Sequence, residues 1–125
     1  MRQYVRSMKT TLIDVPVKRI VDWATFHDVF AEVLGFPAFY GRNMDAWIDC
    51  MTDADDPNTG MVRVAVAAGQ LMTLQINDAD DFAKRCPEQF TALIECAAFV
   101  NFRRVETGGT PVLALLLSGH MSAVE

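Results

Sequence analysis

The chain has 125 residues, 51% of them hydrophobic and 22% charged, with a net charge of −5. This is the make-up of a single globular domain, here 1–125, long enough to bury one core. The longest wholly apolar run, Val112 to Leu117, is six residues against the ~20 of a spanning helix, so no membrane span and no membrane partner are expected. Three cysteines, an odd number without metal-ligand spacing, argue against a secreted disulfide framework and point to a reducing cytoplasm.

The opening "MRQYVRSMKT" carries charge without an apolar stretch, so no signal peptide is expected, and residues 1–9 are expected to fray. "TTLIDV" (Thr10 to Val15) predicts a first strand, closed by Pro16. Thr25 and Asp28 fit a helix-capping pattern, followed by Phe26, Val29, Phe30, Val33 and Leu34 at helical spacing and by Gly35 as the stop. The loop Pro37–Arg42 leads to Asn43, a good N-cap, and a second helix reaching about Thr52. "DADDPNTG" reads as a turn; it fails as a calcium loop because Pro57, Asn58 and Val64 stand where a ligand, the sharp-turn Gly and the bidentate Glu belong.

"MVRVAVA" and "LMTLQI" are strand-like and separated by Ala-Gly-Gln, which predicts a hairpin, or an extra strand, within 61–76. "DADDFAKR" suits a short helix, and Pro87 suits the first residue of a long one with Phe90, Leu93, Ile94 and Ala97 as its apolar stripe. "TGGTP" ends it. "VLALLL" is then the continuous apolar strand of a parallel sheet buried on both faces. Residues 119–125 are expected to fray. The order predicts an α/β domain with a small, mainly parallel sheet and about four helices.

Charge is unevenly placed. The first twenty residues hold five basic side chains and one acid, whereas Asp45, Asp49, Asp53, Asp55 and Asp56 crowd the stretch from Arg42 to Asp56. Such a concentration steers in a basic partner and argues against nucleic acid. On the second helix, Met44, Trp47, Ile48 and Met51 form the predicted core stripe. The 100° helical step puts Asp45, Asp49 and Thr52 within an arc of about 60° on the neighbouring flank. Asp45 suits a first helical turn; Asp49 has no such local reason to be acidic.

The run Pro37-Ala38-Phe39-Tyr40-Gly41-Arg42-Asn43-Met44-Asp45-Ala46, continuing Trp47-Ile48-Asp49-Cys50-Met51-Thr52, resembles the barstar family of intracellular inhibitors of secreted ribonucleases. The likeness is good from about residue 22 to 53. It implies a barstar-like fold and an inhibitor, not an enzyme, that plugs the basic active site of a ribonuclease. Asp49 would be the hot spot, with Phe39, Gly41, Asn43, Asp45, Ile48 and Thr52 around it.

Several residues depart from the family pattern. Trp47 precedes Ile48 instead of following the aliphatic residue, and Phe39 lacks a hydroxyl. Asp53-Ala54 replace Gly-Trp, and Asn101-Phe102-Arg103-Arg104 stand where the family offers a glutamate. Met61–Gln70 also looks inserted. These changes point to a basic partner other than barnase, or to the same fold binding a non-nuclease or regulatory protein.

A metal-dependent hydrolase using Asp45, Asp49 and Asp53 is the rival from another class. It lacks a phosphate loop or basic clamp, so no cofactor or metal is expected. His27 reads as a structural or surface histidine, Cys50, Cys86 and Cys96 as small hydrophobes, and Arg103-Arg104 as a dipole-complementing helix end.

Overall fold

The computed structural model describes residues 10–119; the fraying expected at the ends falls, apart from Gly119, outside the described residues. Three strands, β1 (Thr10–Asp14), β2 (Leu71–Ile76) and β3 (Leu113–Leu117), form a sheet in the order β1-β2-β3. Both pairs are parallel, with Ile13, Leu74 and Leu115 in one row. Parallel neighbours require crossover connections. The helices α1 (Trp23–Leu34) and α2 (Met44–Thr52) provide the first, and α3 (Ala79–Arg85) and α4 (Pro87–Glu106) the second.

Burial alternates along β2: Met72, Leu74 and Ile76 are fully buried while Leu71, Thr73 and Gln75 are half-exposed. The helices therefore cover one face of the sheet. This corrects the reading of "VLALLL" as buried on both faces. β3 is an edge strand, and only Val112 and Leu113 are buried, with Leu116 and Leu117 exposed.

The predicted hairpin does not form. Both edges of β2 are already taken by β1 and β3, so Met61–Ala67 cannot pair with it as a hairpin requires. Instead it crosses the helix ends as irregular chain. Arg63 N and Val64 N donate to Leu34 O, Val66 N donates to Ala54 O, and Val62 and Val66 are buried.

The α1 cap also lies earlier than predicted. Asp22 is the N-cap, its carboxylate accepting from Thr25 N at 2.9 Å while Thr25 Oγ1 accepts from Asp22 N at 3.0 Å. Thr25 thus belongs to the capping box as its third helical residue. Gly35 ends α1 as predicted, at φ 68°, where a Cβ would come within 2.5 Å of Arg63 Cβ. Two apolar stripes are rotated from their expected positions. α2 buries Trp47, Cys50 and Met51, leaving Met44 and Ile48 half-exposed, and α4 buries Gln89, Leu93, Ala97 and Val100, leaving Phe90 half-exposed and Ile94 exposed.

Candidate functional site

The loop between α1 and α2 is fixed from beneath. Phe36 and Tyr40 are buried, their rings 4.7 Å apart, and the Tyr40 hydroxyl shares a 2.6 Å hydrogen bond with Nδ1 of His27, itself buried on α1. Tyr40 N donates to Pro37 O, closing the turn. Burial, with Arg42 nearby, pushes the His27 pKa below its ordinary value, which favours the neutral imidazole near pH 7. Arg42 adopts φ 56°, the left-handed region rare for a side chain of its size. Its guanidinium is tied to Asp28 at 2.8 Å and to Ala24 O at 3.0 Å, which anchors the loop to α1.

Asn43 then starts α2, accepting from Ala46 N at 2.8 Å. Gly41 packs against that first turn, where a Cβ would lie 3.3 Å from Ala46 Cβ. Trp47 is fully buried, edge-on to Phe30 at 5.7 Å. A helix so anchored on its inner face presents its outer residues rigidly.

Among the sequence-predicted site residues, Phe39 is 77% exposed at the loop tip. Asp45 is exposed, with no hydrogen-bond or ionic partner among the described residues, and Asp49 is exposed four residues on. Ile48 is half-buried. Thr52 is tied down: its hydroxyl donates to Ile48 O at 2.6 Å, and its own carbonyl accepts from Arg104. Asp45 and Asp49 thus stay together on one open flank, while the Thr52 hydroxyl has already spent its proton.

The two arginines of α4 contribute more than a favourable helix end. Arg103 Nη1 lies 3.3 Å from Asp49 Oδ1, both side chains being about half exposed. Arg104 grips Asp55 through two hydrogen bonds of 2.9 and 2.7 Å and also donates to Thr52 O and Thr110 O. The Arg104 and Asp55 side chains are only 15% and 12% exposed. The pairing of Arg103 with Asp49 escaped sequence reasoning because the partners are 54 residues apart. Beside it, Phe99 and Phe102 of α4 are exposed.

The aspartates do not assemble a metal site. Asp53 is the C-cap of α2, Asp55 is held by Arg104 and Asp56 caps the turn Pro57–Thr59, accepting from Asn58 N. Among the described residues, no three His, Cys, Asp or Glu side chains converge as a metal ion requires. Burial pushes the Cys50 thiol up to about 11, which keeps it unreactive near neutral pH. His120, the other histidine, lies outside the described residues. No described helix is long and apolar enough to cross a membrane.

A family model described as Barstar (barnase inhibitor) matches residues 10–110, from β1 through α4. No curated protein matches the chain.

Proposed function

The chain belongs to the barstar family, and from that premise we propose that it is a cytoplasmic inhibitor that binds a basic ribonuclease and blocks its active site, without chemistry of its own. The observation that carries this reading is the pair Asp45 and Asp49, exposed side by side on a helix whose inner face is locked by Trp47, Cys50 and Met51. A ribonuclease holds phosphate with cationic side chains. Carboxylates fixed in advance can occupy those subsites through charge-assisted hydrogen bonds, with little ordering cost.

In this reading Asp49 is the central anchor. Asp45 adds charge, and Phe39 and Ile48 give apolar contact at the rim. Gly41 and Asn43 shape the ledge between loop and helix, and Thr52 closes its far end. A second reading, the same surface docking a non-nuclease protein, is favoured by one observation: Arg103 already pairs with Asp49.

The test is calorimetric binding of the wild type and Asp49→Ala to a panel of microbial ribonucleases, with RNA cleavage measured in parallel. Expected is inhibition by the wild type and a loss of about 2 kcal/mol or more in Asp49→Ala, the size of an interface hot spot; barnase–barstar is itself a reference case for such values. Equal affinity of the two proteins refutes the assignment of Asp49. Absence of binding across the panel moves the partner outside the ribonucleases.

A further inference from the structure

The outer surface of α2 carries a cation as well as acids. Arg103 reaches across from α4 to within 3.3 Å of Asp49, the residue at the centre of the proposed docking surface, and neither side chain is buried. Exposed pairs of this kind contribute little to stability, typically 0–1 kcal/mol. The fold therefore does not depend on it, and its consequence lies in what the surface can bind.

We propose that Arg103 determines partner choice by standing beside Asp49 as a fixed positive charge: the partner must bring a carboxylate for Arg103 together with a cation for Asp49. The inference rests on the reading of the α2 flank as the docking surface. Its physical basis is the cost of isolating a charge. A partner offering only cations draws Asp49 away and leaves the Arg103 guanidinium desolvated next to like charge, which is strongly unfavourable. A partner with adjacent cation and carboxylate exchanges the internal pair for two intermolecular ones, and no charge is left alone.

Arg103 is also the specific arginine for this task. Its neighbour Arg104 is committed to Asp55, Thr52 O and Thr110 O in a largely buried cluster. Asp45, with no partner of its own among the described residues, remains available for a second cation.

The experiment compares wild type, Arg103→Gln and Arg103→Glu for binding to barnase, used as the probe with a cation-rich site. Circular dichroism and thermal melts check that each variant is folded. Arg103→Glu is expected to bind at least tenfold more tightly than the wild type, with Arg103→Gln between them. The gain is expected to disappear when Asp49→Ala is added. Arg103→Glu binding no better than the wild type overturns the role of Arg103, even where Asp49→Ala still weakens binding and the docking surface stands. A gain that survives Asp49→Ala overturns both, because binding then occurs elsewhere. A partner-free check is the Arg103 Nε–H signal by NMR: it is expected to shift in Asp49→Asn, and an unmoved signal means that the two residues are not paired.

Discussion

At the scale of single residues, the loop before α2 depends on a buried polar contact. His27 is 4% exposed and hydrogen-bonded to Tyr40, which in turn packs on Phe36. Burial holds the His27 pKa below its ordinary 6.5. The unfolded chain therefore takes up a proton near pH 6.5 while the folded chain resists until lower pH. The folded state binds fewer protons in that window, so stability falls as pH drops below about 6.5. Urea denaturation is expected to show a lower midpoint at pH 5.5 than at pH 7.5. The drop should be smaller in His27→Gln, and an equal drop in both proteins would assign the effect to other groups. The sequence left His27 as either a structural or a surface histidine, and its burial decides for the first; what the sequence did not disclose is that its partner is a tyrosine of the loop leading into α2.

At the scale of elements, local signals were legible and non-local ones were not. Asn43, Gly35 and Pro87 act through the backbone within one turn, and α2, the end of α1 and the start of α4 lie where those residues put them. The α1 cap was misread because Asp22 and Thr25 both carry capping oxygens, and only the fold decides which begins the helix. The hairpin was misread because "MVRVAVA" has a strand's composition, yet strand formation needs a free neighbour that β2 does not have. The site divides in the same way: the shared flank of Asp45 and Asp49 follows from helical periodicity, whereas the reach of Arg103 and Arg104 to α2 does not. Arg104 has a strong consequence for the helix that carries Asp45 and Asp49. Its guanidinium ties the α2 end at Thr52 O and Asp55 to the turn at Thr110. Arg104→Ala leaves Asp55 a poorly solvated, unpaired carboxylate, and such losses cost about 3 kcal/mol. The urea midpoint should fall accordingly. Adding Asp55→Asn should recover part of the loss, and a double mutant no more stable than the single one would argue against the pair.

At the scale of the whole molecule, the surface field is weaker than the row of aspartates implies. Asp49 and Asp55 are each paired with an α4 arginine, and Arg42 near the same surface is paired with Asp28. A net charge of −5 nevertheless favours approach by a basic protein, and charge steering appears in the association rate more than in the affinity. Bulk salt screens exposed charges over about 8 Å at physiological ionic strength. The association rate constant of the wild type with a ribonuclease that it inhibits should therefore fall as salt rises from 50 to 500 mM. Two further variants locate the source of the field. Arg103→Glu changes the docking surface by two negative charges and should steepen that slope. Lys18→Glu makes the same change on the 3₁₀ turn Val17–Arg19, a separate element, where the lysine pairs with Asp78; by net charge alone it should steepen the slope equally. Stopped-flow association at four salt concentrations decides between them. A steeper slope for Arg103→Glu alone places the steering field on the α2–α4 surface. Equal slopes for both variants would mean that the partner is drawn by overall charge, and no change in rate with salt would remove steering altogether.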